Sequence, residues 1–362
     1  MRELPGIVLE ELGRAPAIET VALQEPGPQE VMVRMAASGI CHTDIGYIQY
    51  ARACPVILGH EGAGIVEMVG ENVRGVRPGD HVVINWQPKC GVCRWCRRGR
   101  QDLCENVQGT AEPRVYWKGR PLNVMLSAGT FSPYIVVPQE GAVPVRVDMP
   151  QRAAALLGCA VATGVGAVLN TARVQPGEDV VVIGAGGVGL NVIQGARLAN
   201  AGKIIAIDLD EARLTLAGLL GATHTFNPTR GNPIVMIQDL THKRGVEHVF
   251  EAVGSPYLMQ QGIEMLARGG KLTLIGAAGR EAVLEFQPRR FMSQQQAILG
   301  CIYGNVRPHI DLPLLADWYM DGRLKLDELI TRVVALEEVP DIFTDQQSQK
   351  GIRTVIAFEE VD

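Results

Sequence analysis

The sequence predicts an α/β protein of two domains, one rich in β-strands and one built on a doubly wound parallel sheet. The chain has 362 residues, which is longer than one ordinary hydrophobic core supports. Its first half holds short β-prone runs between turn signals, and strands alternate with helices from about Val161. The composition is globular, with 47% hydrophobic and 20% charged residues. A net charge of −5 and the lack of a long basic tract argue against a nucleic-acid partner.

The β-rich domain is predicted to enclose the other domain in the sequence. Its strands are expected at Val31–Met35, Ala63–Val69 and His81–Ile84. The tail beyond Gly304 ends in a further apolar run, Thr354–Phe358, which we expect to complete the same domain. The predicted limits are therefore 1–160 with 304–362 for the β-rich domain and 161–303 for the parallel-sheet domain.

The parallel sheet is predicted from strands that alternate with a glycine turn and helices. A buried-type strand at Asp179–Ile183 leads through this turn into a helix ending near Ala199, and a second strand follows at Lys203–Ile207. Later apolar strands are expected at Val246–Ala252, Lys271–Ile275 and Ala297–Tyr303. This order is typical of a doubly wound sheet.

The glycine turn has the G-x-G-x-x-G pattern of a dinucleotide site, in Gly184-Ala185-Gly186-Gly187-Val188-Gly189. Gly184 permits the tight turn, Gly186 lets the backbone approach a pyrophosphate, and Gly189 lets helix and strand pack closely. Asp208 ends the next strand, 19 residues after Gly189, where a carboxylate holds the adenine ribose. Because that carboxylate repels a 2′-phosphate, the sequence favours NAD over NADP. Arg213 is expected either beside the same ribose or as a solvated arginine on the surface of a helix.

Four cysteines close together predict a structural metal site. Cys90, Cys93, Cys96 and Cys104 form C-x2-C-x2-C-x7-C. Four thiolates surround one tetrahedral zinc and leave no position for water. A disulfide interpretation needs an oxidising compartment, for which the sequence gives no sign, and we expect a cytoplasmic protein. The cysteines alone leave an iron–sulfur cluster open as an alternative.

A second set of metal-binding residue types is dispersed along the chain. It comprises Cys41, in Cys41-His42-Thr43-Asp44, His60, in Gly59-His60-Glu61, and Cys159. Two thiolates and one imidazole leave a fourth tetrahedral position open, as in a catalytic zinc site. Spacing alone does not unite residues this far apart. Cys54 and Cys301 are interpreted as packed thiols.

Taken together, these motifs resemble the zinc-containing alcohol dehydrogenases of the medium-chain dehydrogenase/reductase family. The resemblance covers essentially the whole chain in the same motif order, including Gly158-Cys159 with Thr163-Gly164 and Gly351-Ile352-Arg353-Thr354. It implies a GroES-like catalytic domain and a Rossmann domain, with two zinc ions and NAD as cofactors.

The resemblance also implies a role for individual residues. Cys41, His60 and Cys159 would bind the catalytic zinc. Asp44 would accept a hydrogen bond from His60, and Glu61 would lie behind the metal. Thr43 would accept the proton of the substrate hydroxyl and pass it to the nicotinamide ribose; the alternative is a threonine that only caps a local turn. The residues expected to contact the coenzyme, besides the glycine turn, Asp208 and Arg213, are His42, Thr163 and Arg353.

The predicted reaction interconverts alcohols, primary ones with aryl or medium-length chains, and aldehydes. Zinc acts as a Lewis acid that eases loss of the hydroxyl proton, and hydride passes to NAD. Many family members carry a histidine where this chain has Gly46. Either water, His42 or Tyr47 is therefore expected to complete the proton path, or proton release is slower.

Two other functions are alternatives to this one. A thiol-dependent formaldehyde dehydrogenase would act on S-hydroxymethyl conjugates and need a cationic anchor such as Arg114, Lys118 or Arg120. A zinc-stabilised, inactive NAD-binding protein is disfavoured because no predicted zinc ligand is missing. We expect a homodimer joined near Ala297–Tyr303, and no membrane span, since no apolar run reaches about 20 residues.

Overall fold

The computed structural model describes residues 1–51, 53–107, 109–344 and 351–358. Its strands are β1 (Arg2–Leu9), β2 (Ala17–Leu23), β3 (Glu30–Ile40), β4 (Val56–Ile57), β5 (Glu61–Val69), β6 (His81–Ile84), β7 (Val115–Trp117), β8 (Arg120–Pro121), β9 (Asn123–Val124), β10 (Tyr134–Pro138), β11 (Ala142–Pro144), β12 (Val180–Ile183), β13 (Ile204–Ile207), β14 (His224–Phe226), β15 (Val246–Glu251), β16 (Leu266–Leu274), β17 (Ala297–Gly300), β18 (Ile330–Val334) and β19 (Arg353–Ala357). Its α-helices are α1 (His42–Tyr50), α2 (Gln151–Leu156), α3 (Ala162–Gly166), α4 (Gly187–Leu198), α5 (Glu211–Leu220), α6 (Pro233–Leu240), α7 (Pro256–Met265), α8 (Pro288–Gln294), α9 (Pro308–Met320) and α10 (Val339–Thr344).

The chain divides into two compact units. The first consists of Met1–Cys159 and the C-terminal segment from Arg307 onward, and the second of Ala160–Val306. These limits differ from the predicted domain limits by one to three residues.

The long strand β3 organises the first unit. One sheet has the order β8-β7-β2-β1-β4-β9, and the other has the order β11-β6-β5-β3-β19-β18 with β10 also paired to β3. In the second sheet Gly39 of β3 pairs with Glu61 of β5, and Ile40 pairs with Thr354 of β19. The carboxyl end of β3 therefore meets the start of β5 and the start of β19 at one edge of the sheet.

The second unit is the predicted doubly wound sheet. Its strands run parallel in the order β14-β13-β12-β15-β16-β17. The strands that follow β12 extend the sheet in one direction, and those that follow β15 extend it in the other. The switch point of the topology therefore lies between β12 and β15, and ligands of open α/β sheets bind at such a point. The predicted fold class is confirmed, although the last strand ends at Gly300 rather than Tyr303, which opens a short 3₁₀ turn.

One helical stretch is longer and more apolar than the sequence analysis expected. Gln151–Ala172 has the length and composition to cross a membrane, although Arg152 and Asn170 interrupt its apolar run. Since 89% of its most apolar window is buried inside the protein, the stretch is a core helix. It combines α2 and α3 with two π-helical turns, Leu157–Val161 and Ala167–Ala172.

Helix α1 was not predicted, and Thr43 lies in this helix rather than in a turn. Cys41 is the residue before the helix, and the Asp44 carboxylate accepts the backbone N–H of Cys41 at 2.7 Å. A carboxylate at the third helical position that accepts this N–H stabilises a helix start. Ile45 and Ile48 then pack against the buried apolar cluster that contains Ile342.

Candidate active site

Four buried side chains meet at the carboxyl end of β3. Cys41 follows that strand, His60 and Glu61 lie at the start of β5, and Cys159 lies in the first π-helical turn. One potential ligand atom from each lies within 4.8 Å of the others. The structure thus brings together the three residues that only resemblance had united, and it adds Glu61 to them.

The donor set suits zinc. In tetrahedral zinc sites the Zn–S bond is about 2.3 Å, so two ligand sulfurs lie about 3.8 Å apart, and the observed group falls within 4.8 Å. Cys159 shares a hydrogen bond with Cys41, which lowers the pKa of the Cys41 thiol well below its usual value and raises that of Cys159. The shared hydrogen bond thus favours ionisation of Cys41 and disfavours that of Cys159. A bound divalent cation would stabilise both thiolates and so remove this difference.

Asp44 fixes two of these residues at once. One carboxylate oxygen lies 3.0 Å from His60 Nδ1, and the other accepts the Cys41 N–H. With Nδ1 engaged by Asp44, Nε2 is the nitrogen left for a metal. Asp44 is fully buried, and its burial raises the pKa of the carboxyl while the charge of His60 opposes that shift.

Glu61 lies within 4.8 Å of the three predicted zinc ligands. Neither carboxylate oxygen has a hydrogen-bond partner among the described residues, and the nearest charge is Arg353, with Nη2 3.7 Å from Oε1. Burial raises the pKa of Glu61 to about 7, against the opposing charge of Arg353. A buried carboxylate with unfilled acceptor capacity is a suitable neighbour for a cation.

Arg353 belongs to the same cluster. It is 7% exposed, and Nη1 approaches the carbonyl oxygen of Ile40 at 3.5 Å. The resemblance implies a contact of Arg353 with the coenzyme, and its described contacts lie around Glu61 and the end of β3. Its guanidinium therefore compensates the negative charge behind the thiolates.

Thr43 and His42 lie in the first turn of α1. The Thr43 hydroxyl oxygen is 3.7 Å from the sulfur of Cys41, and the side chain is half-buried. His42 is exposed. Thr43 is thus the hydroxyl group next to the ligand cluster, as its predicted role in proton transfer requires.

Four of the six remaining cysteines form a second cluster. One sulfur from each of Cys90, Cys93, Cys96 and Cys104 lies within 4.8 Å of the others. Backbone N–H groups point at the sulfurs, with Cys93 N to Cys90 Sγ at 3.4 Å and Cys96 N to Cys93 Sγ at 3.5 Å. Such hydrogen bonds lower the pKa of Cys93 to about 6. Four converging sulfurs fit a closed zinc site. Cys54 and Cys301 belong to neither cluster.

The glycine turn of the second unit has the geometry of a phosphate cradle. Gly184 has φ +94°, and a Cβ at Gly189 would overlap the carbonyl of Gly184. A Cβ at Gly186 would meet open space, which leaves room for a ligand against the backbone. Gly187 and Val188 begin α4, whose first N–H groups therefore face this turn.

Asp208 lies beside the glycine turn, after the carboxyl end of β13. Its two oxygens accept the N–H groups of Ala185 at 2.7 Å and Asp210 at 2.9 Å. Arg213 lies 3.9 Å from Asp210. Thr163 is 9% exposed in α3.

Glu251 is a buried acid that the sequence analysis did not single out. It ends β15 at the switch point, is 0% exposed, and accepts N–H groups from Val253 at 3.0 Å and Gly254 at 2.9 Å. The backbone carbonyl of Glu251 also accepts the N–H groups of Ile275 and Gly276. Glu251 therefore accepts hydrogen bonds from the loops that follow both β15 and β16. An acid directly after the apolar pair Val249-Phe250, at the carboxyl end of a predicted strand, is the signal that could have revealed it.

Comparison with known proteins agrees with this fold and site. Residues 27–151 match the alcohol dehydrogenase GroES-like domain, and residues 187–319 match the zinc-binding dehydrogenase domain. The chain is 36% identical to a class-3 alcohol dehydrogenase of Cereibacter sphaeroides, over 96% of this chain and 98% of that protein. It is also 36% identical to an S-(hydroxymethyl)glutathione dehydrogenase of Haemophilus influenzae, over 94% and 93% of the two chains.

A solved structure extends the likeness to the whole fold. The benzyl alcohol dehydrogenase of Acinetobacter calcoaceticus superimposes with a TM-score of 0.91 at 31% identity, over 99% of this chain and 100% of the other. Fold, metal-binding clusters and relatives define a zinc-dependent oxidoreductase. The chain belongs to the zinc-containing alcohol dehydrogenases of the medium-chain dehydrogenase/reductase family.

Proposed function

We propose that the chain oxidises primary alcohols with aryl or medium-length chains, reversibly and with NAD, to aldehydes. The observation that carries this proposal is the buried group of Cys41, His60, Glu61 and Cys159 within 4.8 Å of one another. When bound there, zinc supplies the Lewis acidity that eases loss of a hydroxyl proton, and NAD supplies the two-electron acceptor.

Within this function the residues of the first unit have distinct roles. Cys41, His60 and Cys159 hold the catalytic zinc, and Asp44 holds His60 in the tautomer that presents Nε2. Thr43 takes the proton from the substrate hydroxyl. The four-cysteine cluster holds a structural zinc, which closes the segment 90–104 into one compact lobe.

The coenzyme is assigned to the second unit. Three features support NAD: the open cradle at Gly186, the helix start at Gly187, and the acid Asp208 at the end of β13. Each Asp208 oxygen accepts one backbone N–H group, which leaves acceptor capacity for ribose hydroxyls. The remaining proposed contacts, which rest on the family resemblance, are His42, Thr163, Arg213 and Arg353.

A second candidate function is a thiol-dependent formaldehyde dehydrogenase, the activity for which the relative from Haemophilus influenzae is named. An S-hydroxymethyl peptide conjugate carries carboxylates that need a cationic anchor. Arg114, one anchor considered, is engaged by Glu30 at 2.5 Å, with both side chains largely buried. Lys118 lies over the Trp117 ring at 3.8 Å. These contacts favour simple alcohols over the conjugate.

A substrate panel separates the two functions. NADH formation is measured with linear, branched and aromatic alcohols, and with formaldehyde in the presence and absence of a low-molecular-weight thiol. We expect turnover of aryl or medium-chain alcohols and no stimulation by the thiol. Turnover of formaldehyde only when the thiol is present would establish the second function instead.

We also propose a cytoplasmic homodimer. All eight cysteines are free thiols, which suits a reducing compartment. Strand β17 ends the parallel sheet, and Ile302 beyond it is 56% exposed, so this edge offers backbone groups and apolar surface to a second copy. Light scattering of the purified protein is expected to give twice the chain mass of 39.1 kDa.

A further inference from the structure

Tyr50, near the end of α1, fills the space above Gly46. The two residues are four positions apart, and side chains of a helix lean toward its N-terminus, so Tyr50 reaches back over Gly46. A Cβ added at Gly46 would overlap the hydroxyl and ring of Tyr50. Glycine at this position therefore allows a phenol to lie along the helix.

The phenol hydroxyl of Tyr50 lies at the exposed side of the first turn of α1. Its oxygen is 3.4 Å from the backbone carbonyl oxygen of Thr43, in the first turn of α1. Burial raises the pKa of this phenol, and the negative charges of Cys41, Asp44 and Tyr47 raise it further. The side chain as a whole is 40% exposed, so the hydroxyl is close both to the turn that carries Thr43 and to water.

The alternatives for proton exit are less well placed. Both oxygens of Asp44 already accept hydrogen bonds, and Glu61 is 0% exposed. Tyr47 packs with the apolar cluster beneath α1 and meets Tyr50 edge to face at 5.9 Å. His42 is exposed but has no described contact with Thr43. Tyr50 combines a hydroxyl near Thr43 with access to solvent.

We propose that Tyr50 is the residue through which the substrate proton leaves the site, an inference that rests on the proposed alcohol oxidation. The overall reaction is alcohol plus NAD⁺ to aldehyde, NADH and H⁺. The substrate O–H bond breaks as Thr43 Oγ1 takes the proton, and the proton that Thr43 held passes on through water to Tyr50. The phenol oxygen accepts that proton and releases its own to bulk water, so Thr43 and Tyr50 end in their starting states.

The test separates proton release from turnover. The protein loaded with zinc and NAD⁺ is mixed with trifluoroethanol, an alcohol that binds but resists oxidation, and proton release is followed with a pH indicator. Tyr50→Phe retains the ring above Gly46 and loses only the hydroxyl. We expect proton release at least about 10-fold slower, as for loss of a proton-transfer group, with zinc content and NADH affinity unchanged. Added imidazole should restore the rate.

Control variants make each outcome decisive. Tyr116→Phe removes a phenol hydroxyl from β7 and should leave the rate unchanged. Gly46→Ala should displace the Tyr50 ring and slow proton release without removing the hydroxyl. This variant provides a second test in case Tyr50→Phe folds poorly. Wild-type rates in both site variants, or slowing in Tyr47→Phe alone, would overturn the proposal. Absence of NADH formation by the wild type with any alcohol would instead refute the proposed function.

Discussion

Asp44 shows how much of the metal site depends on one residue. Its carboxylate orients the imidazole of His60 and caps the backbone of Cys41, so two ligands share one support. The hydrogen bond to His60 could be anticipated from family resemblance. The contact with Cys41 could not, because it exists only where residues 42–50 form a helix.

Asp44→Asn is expected to weaken the catalytic zinc site. An amide offers one acceptor oxygen where two are used, so either His60 or the Cys41 N–H loses its partner. Loss of such a support costs roughly 10- to 100-fold in metal affinity or activity. Zinc competition with a chromogenic chelator measures the change, and Asp80→Asn, in an exposed turn, serves as the control. Unchanged affinity would mean that Asp44 does not support the ligands.

Cys159→Ser is expected to separate the two metal sites. Serine is a poor zinc ligand at neutral pH, so the catalytic zinc should be lost while the four-cysteine cluster stays loaded. Metal analysis should fall from about two zinc ions per chain to about one, and NADH formation should cease. Cys301→Ser should keep both ions. Retention of both ions by Cys159→Ser would exclude Cys159 as a ligand.

At the scale of elements, the sequence was informative where local pattern decides the structure. The parallel strands and the glycine turn were predicted because apolar runs and glycine positions are local signals. Helix α1 was missed because Gly46 weakens its helix propensity, and its stability comes from the Asp44 cap and from packing of Ile45 and Ile48 on distant residues. The π-helical turn that carries Cys159 has no local sequence signature.

Glu251→Gln is expected to weaken coenzyme binding. The carboxylate accepts the N–H groups of the loop after β15, and an amide group would replace one acceptor oxygen with a donor facing those N–H groups. We expect a rise of about 10-fold in the Kd of NADH, in line with the cost of one buried unsatisfied group. Fluorescence titration of NADH measures it.

The matched control lies at the other end of the same strand. Glu247→Gln also alters a carboxylate that accepts a backbone N–H, that of Asp179, but away from the switch point. If both variants raise the Kd equally, Glu251 has no special part in shaping the coenzyme site.

His248 is expected to make the second unit sensitive to acid. Burial lowers the pKa of His248, so the folded chain takes up the proton at lower pH than the unfolded chain does. The free energy of unfolding is therefore fully retained above about pH 6.5, the ordinary pKa of histidine. It decreases as the pH drops below that value. Between pH 7.5 and 5.5 the Tm of His248→Gln should fall less than that of the wild type, with His224→Gln as the control. Equal falls would contradict this account.

At the scale of the whole molecule, the two units carry separate functions. Both metal clusters lie in the first unit, and the dinucleotide cradle lies in the second. The sequence alone located the cradle and the four-cysteine cluster, because their residues are close together in the chain. The residues of the other metal site are far apart in the chain. They come together only when β3 pairs with β5 and β19, so the tertiary structure was needed to locate this site.

Crystallographic mapping of anomalous scattering at the zinc edge tests this account most directly. We predict two zinc peaks per chain. One of them should lie about 2.3 Å from the sulfurs of Cys41 and Cys159 and about 2.0–2.1 Å from Nε2 of His60. Fully loaded protein with no peak among these three side chains would contradict it.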